Sequence, residues 1–161
     1  MSTSPSERVL EAFHPAVRTW FERKFPEGPT EPQIEGWPAI AQNVDTLIAA
    51  PTGSGKTLSA FLICIDRLYQ RAAKRSEDFC LDAPEQKVTE VVYVSPLKAL
   101  GADIKKNLDE PIAEIAEIAK KLGCVVPEIR VAVRSGDTTP SQRAAMLRRP
   151  PQFLITTPES L

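Results

Sequence analysis

The sequence predicts an α/β fold in which a mostly parallel sheet is flanked by helices. Short apolar segments of four or five residues recur along the chain, and segments with apolar residues three or four positions apart lie between them. The composition agrees, because 42% of the residues are hydrophobic but only 6% are aromatic. A core of Leu, Ile, Val and Ala suits parallel strands covered by helices. The 161 residues suffice for one globular domain with such a core.

The N-terminal part, residues 1–45, is predicted to form helices that precede the sheet. Ser4 or Ser6 can cap a first helix that runs to about Phe25, and Pro15 is expected to restart or kink it. After a turn rich in Pro, Thr30 is predicted to cap a short helix. That helix holds a proline in its first turn, where a missing N–H costs little.

Four apolar segments are predicted as strands. The first, Thr46 to Ala50, leads into the sequence PTGSGKT and then into a helix from Lys56 to about Ala73. The others are Val91 to Ser95, Ile129 to Val133 and Phe153 to Thr156. Strands that alternate with helices in this way form a mostly parallel sheet, which binds its ligands at the carboxyl ends of the strands.

The segments that connect the predicted strands are assigned from their polarity and from the positions of Pro and Gly. Residues 74–87 are polar and charged, which predicts an exposed insertion. A long helix is predicted from about Leu97 to Leu122, ended by Gly123, and Pro111 is expected to break it in two. Pro140 and Ser141 open a further helix after the third strand.

The last residues, TTPESL, resemble a helix start, with Thr157 as the cap and Pro158 in the first position. A domain does not normally end one step into a helix. The natural polypeptide is therefore expected to be longer.

Charge and cysteine content narrow the class of protein. Twenty basic and 21 acidic residues give a net charge of −1, so any nucleic-acid surface must be local. The segment 129–149 holds five Arg and one Asp, which fits either such a surface or an ordinary solvated face. Three Cys without a CxxC pair argue against zinc or disulfides, and no leader or membrane span is evident. We expect a cytoplasmic protein.

The segment from Ala50 to Thr57 matches the phosphate-loop pattern, with Ala in place of its first Gly. Glycines let backbone N–H groups curl around an anion at the start of the next helix. Lys56 is predicted to reach the β- and γ-phosphates of ATP, and the Thr57 hydroxyl to ligate Mg²⁺. The predicted cofactor-binding residues are Pro51, Thr52, Gly53, Ser54, Gly55, Lys56, Thr57 and Leu58. A dinucleotide fingerprint is excluded, because Leu58 stands where its third Gly belongs.

Five blocks together resemble the N-terminal motor domain of superfamily 2 helicases, and within them the Lhr (large helicase-related) group. In chain order they are TEPQ (30–33), APTGSGKT (50–57), SPLKAL (95–100), RSGDT (134–138) and TTPES (156–160). The resemblance implies a RecA-like ATP-binding domain of the P-loop NTPase class. Residues 46–161 would be its first part, cut before the family's Asp-Glu motif, with residues 1–45 as N-terminal helices.

The resemblance also implies roles for single residues. Gln33 would contact the adenine edge, and an amide suits it because it donates and accepts at once. Lys56 and Thr57 would serve catalysis. The blocks at strand ends would lie against the nucleic-acid backbone, through Pro96, Lys98, Gly136, Asp137, Thr157 and Pro158. As structural alternatives, Gln33 is only a solvated helix residue and Pro96 only precedes a helix.

The family function implied is that of an ATP-dependent DNA or DNA/RNA helicase, in a DNA-repair setting. Superfamily 2 motors need an Asp-Glu pair after a later strand and arginines from a second domain. The 161 residues contain neither, so this chain by itself is expected to bind ATP weakly and to hydrolyse almost none. Two other classes stay open, a stand-alone ATP-binding or regulatory module and a small-molecule kinase of the phosphate-loop type.

Overall fold

The computed structural model describes residues 5–51, 56–77, 88–96 and 100–161. The chain divides into two compact units, one of residues 1–78 and 114–126 and the other of residues 79–113 and 127–161. The first unit carries the N-terminal helices and the helix that follows the phosphate loop. The second carries the sheet.

The N-terminal segment forms two helices instead of one, α1 (Pro5–Glu11) and α2 (Pro15–Lys24). The predicted restart at Pro15 is confirmed, because α2 begins there and His14 caps it through Nδ1, which accepts from the Ala16 N–H at 3.3 Å. Proline fits the first position of a helix, where its missing N–H has no intrahelical partner to lose. Of the two residues predicted to cap the first helix, Ser6 lies inside α1 and so does not cap it, and Ser4 lies outside the described residues.

Two further helices of the first unit are α3 (Glu31–Ala41) and α4 (Lys56–Glu77). As predicted, Thr30 precedes α3 and Pro32 lies in its first turn. The 22 residues of α4 extend to Glu77, beyond the predicted end near Ala73. The proposed insertion therefore begins as helix, and its residues 78–87 lie outside the described residues.

The core of the first unit consists of aromatic rings packed on one face of α4. Trp37 contacts Phe13 and Phe21 edge to face, with ring centroids 4.9 and 5.3 Å apart. Its Nε1 donates to the Ser59 carbonyl at 2.9 Å, so the buried indole keeps a hydrogen bond. On α4, the fully buried residues recur at helical spacing and include Leu62, Ile65 and Tyr69.

The predicted strand Thr46–Ala50 is wrong for this structure, because residues 44–51 have no regular secondary structure. Leu47 is 93% exposed. A strand exists only through hydrogen bonds to a neighbouring strand. Among the described residues no strand pairs with this segment, and an apolar pattern cannot reveal whether such a partner is present.

The second unit contains a parallel sheet of β1 (Val91–Val94), β2 (Val131–Arg134) and β3 (Phe153–Thr156), in the order β1-β3-β2. The predicted parallel α/β architecture is confirmed. The last strand has the predicted bounds, whereas Ser95 lies just after β1 and β2 begins two residues later than predicted. In the register, Leu154 of β3 lies between Val92 and Ala132.

Helix α5 (Leu100–Lys121) runs without interruption through Pro111, so the predicted break is wrong. A proline removes one N–H from a helix and crowds one carbonyl. The buried side chains of Leu108 and Ile115, on either side of it, favour the helical path. Gly123 ends the helix as predicted, with φ of +70° and with hydrogen bonds from Gly123 N to Lys120 O and from Cys124 N to Ala119 O. Residues 97–99 lie outside the described residues.

The remaining elements are α6 (Pro140–Arg148) and a 3-10 helix (Pro158–Ser160). Both predicted starts are confirmed. Thr139 caps α6, because its Oγ1 accepts from the Gln142 N–H at 3.3 Å while Gln142 Oε1 accepts from the Thr139 N–H at 2.9 Å. In the part of the chain that is described, no helix is long and apolar enough to cross a membrane.

Candidate nucleotide and nucleic-acid sites

Lys56 lies at the first position of α4, directly after the phosphate-loop glycines. Its ammonium donates to the carbonyl oxygens of Ala50 and Pro51, the latter at 2.5 Å. An ammonium has three N–H donors, so one remains for a phosphate while these two carbonyl contacts are made. Thr52, Gly53, Ser54 and Gly55 lie outside the described residues, so their predicted contacts with phosphate remain predictions.

The next residues of α4 alternate between solvent and core. Thr57 is exposed, and its hydroxyl has no hydrogen-bond partner among the described residues. Leu58 is half-buried and Ser59 is buried, where the Ser59 carbonyl accepts from the Trp37 indole. This contact fixes the first turn of α4, so the position of Thr57 depends on packing against α3.

Gln33 is buried, with 3% of its surface exposed, which contradicts the alternative of a solvated helix residue. Its Oε1 accepts from the Thr30 N–H at 2.9 Å and so caps α3. The amide NH₂ group and the second lone pair of Oε1 remain for an adenine base. Since the pattern TEPQ also matches a capping box, the sequence could have indicated this second role.

A cleft of about 410 Å³ lies between α3 and the segment that leads to the phosphate loop. Pro32, Gly36 and Ile48 line it together with Glu31, Glu35, Thr46, Leu47 and Ala49. A Cβ atom on Gly36 would lie 3.0 Å from Ile48 Cδ1, so glycine permits this close approach. Gln33 does not line this cleft.

In the second unit, Pro96, Gly136 and Thr157 line one cleft of about 560 Å³. Each follows a different strand of the sheet, and in a parallel sheet the carboxyl ends of all strands meet at one edge. Three sequence blocks predicted to contact nucleic acid are thereby brought together. Asp137 and Pro158 are neighbours of lining residues but do not line the cleft, and Lys98 lies outside the described residues.

Two arginines that sequence reasoning did not single out, Arg134 and Arg143, line the same cleft. For Arg143 the sequence signal was the excess of five Arg in the segment 129–149, which does not say where each side chain lies. Arg134 was also the first residue of the block RSGDT. The other arginines have different roles. Arg130 donates to the carbonyls of Arg149 and Pro150, and Arg149 pairs with Glu128.

The Gly-Asp turn after β2 is held by its own hydrogen bonds. The Ser135 N–H donates to Thr138 Oγ1 at 2.8 Å, and the Thr138 N–H donates to the Ser135 carbonyl at 3.1 Å. Arg143, in the first half of α6, donates through Nε to the Thr138 carbonyl at 3.0 Å. Directly after β3, Thr157 is 6% exposed, and its hydroxyl donates to Ser160 Oγ at 3.3 Å. The cleft walls are therefore preformed.

In the first unit, the residues whose pKa is shifted are not among the predicted site residues. Burial raises the pKa of Asp66 to about 6, against hydrogen bonds from the His14 backbone and the Gln70 side chain that lower it. Burial also lowers the pKa of His14. Within the described ranges, no cluster of His, Cys, Asp or Glu could hold a metal ion by itself.

The parallel α/β fold is that of a helicase domain. Residues 30–161 match the model of the DEAD/DEAH box helicase family, and the chain belongs to that family. Membership implies that it binds nucleotide and nucleic acid.

Within the family, the resemblance to the Lhr group is confirmed. The chain is 48% identical to the Lhr helicase/probable uracil glycosylase of Mycolicibacterium smegmatis, over 94% of this chain and 9% of the relative. It is 41% identical to the Lhr helicase/uracil glycosylase of Escherichia coli, over 98% of this chain and 10% of the relative. It is 45% identical to the ATP-dependent helicase Lhr-Core of Methanocaldococcus jannaschii, over 96% and 17%.

A solved structure agrees with these relatives. The structure of Mycobacterium smegmatis helicase Lhr bound to ssDNA and AMP-PNP matches with a TM-score of 0.79 and 45% identity, over 98% of this chain and 18% of that chain. The chain thus spans between about a tenth and a fifth of the length of the relatives it matches.

Proposed function

We propose that the complete protein is an ATP-dependent helicase or translocase that acts on single-stranded DNA or on DNA paired with RNA. This chain supplies its phosphate loop and part of its nucleic-acid track. The observation that carries the proposal is the cleft at the carboxyl ends of β1, β2 and β3, which gathers Pro96, Gly136 and Thr157. A small-molecule kinase has no use for these blocks.

The nucleotide half of the proposal rests on Lys56 and Thr57. Lys56 would bind the β- and γ-phosphates of ATP in addition to its carbonyl contacts, next to the positive N-terminal end of α4. The exposed hydroxyl of Thr57 fits a ligand of Mg²⁺, which would neutralise phosphate charge when bound. The relative that contains AMP-PNP supports a nucleotide at this loop.

The nucleic-acid half rests on backbone recognition. The cleft presents hydroxyls, two guanidinium groups and main-chain amides, which suit phosphate oxygens, together with one acidic side chain, that of Glu159. We therefore expect little base specificity. The ssDNA in the related Lhr structure supports a single-stranded nucleic acid as the ligand, and the remainder of the motor would supply the other half of the nucleotide cleft. A DNA-repair setting and a cytoplasmic location stay predictions from the resemblance.

The stand-alone ATP-binding module is not favoured, because the similar relatives are named helicases of far greater length.

The test measures phosphate release from ATP by the complete protein, with and without single-stranded DNA. We expect single-stranded DNA to stimulate hydrolysis at least tenfold and Lys56→Ala to abolish it, because the ammonium is the charge that reaches the transferred phosphate. Duplex DNA and a DNA/RNA hybrid with a single-stranded tail then report unwinding. Stimulation by a small metabolite but not by any polynucleotide would overturn the proposal.

A further inference from the structure

The cleft at the carboxyl ends of the strands is lined by more basic than acidic side chains. Arg134 and Arg143 contribute two guanidinium groups, and Glu159 is the one carboxylate among its lining residues. Arg134 is the last residue of β2, and the register aligns it with Thr156, next to Thr157. Both arginines come from the segment whose charge left open whether it binds nucleic acid or only faces solvent.

Arg134 has unused hydrogen-bonding capacity. Its Nε is buried and has no acceptor among the described residues. Because this Nε is itself buried, an oxygen ligand that enters the cleft would accept from the Nη groups of the same guanidinium.

Arg143 is already held in place. Its Nε donates to the Thr138 carbonyl at 3.0 Å and its Nη2 approaches the Ser135 carbonyl at 3.4 Å. A guanidinium carries five N–H groups, so donors remain after these contacts. Arg143 thus both fixes the Gly-Asp turn and lines the cleft.

The same two arginines also line a neighbouring apolar cleft, whose other lining residues include Met146, Leu147, Pro150 and Leu154. Their hydrocarbon stems can contact this apolar surface while the charged ends remain in the polar cleft. The arrangement limits the freedom of both side chains, and less freedom is then lost when an anion binds.

Resting on the proposed function, we propose that Arg134 and Arg143 jointly bind one backbone phosphate of the nucleic-acid strand, beside Gly136 and Thr157. Two guanidinium groups that converge on one cleft match the several oxygens of a phosphate. The proposal also gives the arginines of the segment 129–149 different roles. Arg134 and Arg143 would bind nucleic acid, whereas Arg148 and Arg149 do not line the cleft, and Arg149 pairs with Glu128 instead.

The experiment measures the affinity of the complete protein for a single-stranded oligonucleotide at several salt concentrations. Each phosphate neutralised on a single strand contributes about 0.7 to the slope of log K against log salt. We expect the double variant R134Q/R143Q to lower the slope by about 0.7, the value for one phosphate. The matched control R148Q/R149Q removes the same charge from the same segment and should leave the slope unchanged.

Two further arms make the result decisive. R134K/R143K keeps both charges but loses the planar fork, so it should restore the slope while affinity stays severalfold below wild type. An oligonucleotide of neutral methylphosphonate linkages should bind wild type and R134Q/R143Q equally, since the phosphate charge is gone. Inorganic phosphate at millimolar concentration should not compete, which separates a strand phosphate from a free anion site.

An equal loss in R148Q/R149Q, or no loss in R134Q/R143Q, would overturn the inference. A loss near 1.4 would mean two separate phosphates and would overturn the shared site. If wild type binds no strand at all, the proposed function itself has failed, which is distinct from a strand that binds equally to both variants.

Discussion

The backbone N–H of His14 donates to Oδ1 of Asp66 at 2.6 Å, across 52 residues of sequence. Asp66 Oδ2 accepts from Gln70 Nε2 at 2.7 Å, and that amide also donates to the Ala12 carbonyl. A buried carboxylate on the helix after the phosphate loop thereby holds the start of α2. Its burial explains why the pKa of Asp66 rises to about 6 despite these hydrogen bonds.

The first prediction is that Asp66 makes the free energy of unfolding depend on pH. Because its pKa is higher in the folded chain than the ordinary 3.8, the folded state binds the proton more tightly. This contribution to stability is present below pH 4 and is lost as pH rises through about 6. Relative to Asp66→Asn, wild type should lose roughly 2 kcal/mol of unfolding free energy between pH 4.5 and 7.5.

Urea unfolding at both pH values measures this difference. Asp103 is exposed. Asp103→Asn leaves Asp66 in place, so this control variant should keep the pH dependence of wild type. An equal pH dependence in wild type and Asp66→Asn would refute the assignment to Asp66.

Glu114 supports a second prediction, on stability. Its Oε2 accepts from Trp20 Nε1 at 2.6 Å, and Lys24 approaches at 3.5 Å. Glu114→Ala leaves the indole N–H of a buried Trp without its acceptor, which should cost about 1–2 kcal/mol. Glu117→Ala on the same helix breaks only an exposed pair with Lys120 and should cost much less, because solvent screens such a pair. Chemical denaturation of both variants tests the contrast, and equal costs would contradict it.

Gln33 should contribute to stability through its cap as well as to nucleotide binding. Gln33→Ala removes the acceptor of the Thr30 N–H and should destabilise the chain by about 1 kcal/mol. Gln33→Glu keeps that oxygen but loses the amide donors, so it should fold nearly as well as wild type. Thermal unfolding separates these effects. If Gln33→Glu also leaves the preference for ATP over GTP intact, Gln33 does not read adenine.

The 161-residue polypeptide by itself should show negligible ATPase activity. It has no Asp-Glu pair after an apolar strand to hold Mg²⁺ and polarise water, and arginine fingers alone are worth about 10³-fold or more in rate. Phosphate release should equal that of Lys56→Ala, with circular dichroism showing that both are folded. Phosphate release well above the level of Lys56→Ala would contradict this prediction.

Local patterns in the sequence determined most elements and both candidate sites in outline. Helix starts at Pro15, Thr30 and Thr139 followed from caps and prolines, whose effects act within one turn. The phosphate loop and the blocks at strand ends could be recognised for the same reason, because their chemistry depends on a few consecutive residues. The order of the elements then predicted a parallel sheet.

Tertiary structure alone decided what depends on partners distant in sequence. Thr46–Ala50 has an apolar pattern but no paired strand among the described residues, and α5 continues through Pro111. No local pattern predicted that Arg134 and Arg143 line the same cleft. The hydrogen bond from the His14 N–H to Asp66 could not be predicted locally either. Hydrogen-bond partners and burial are set by packing between segments far apart in sequence, and a local pattern carries no record of that packing.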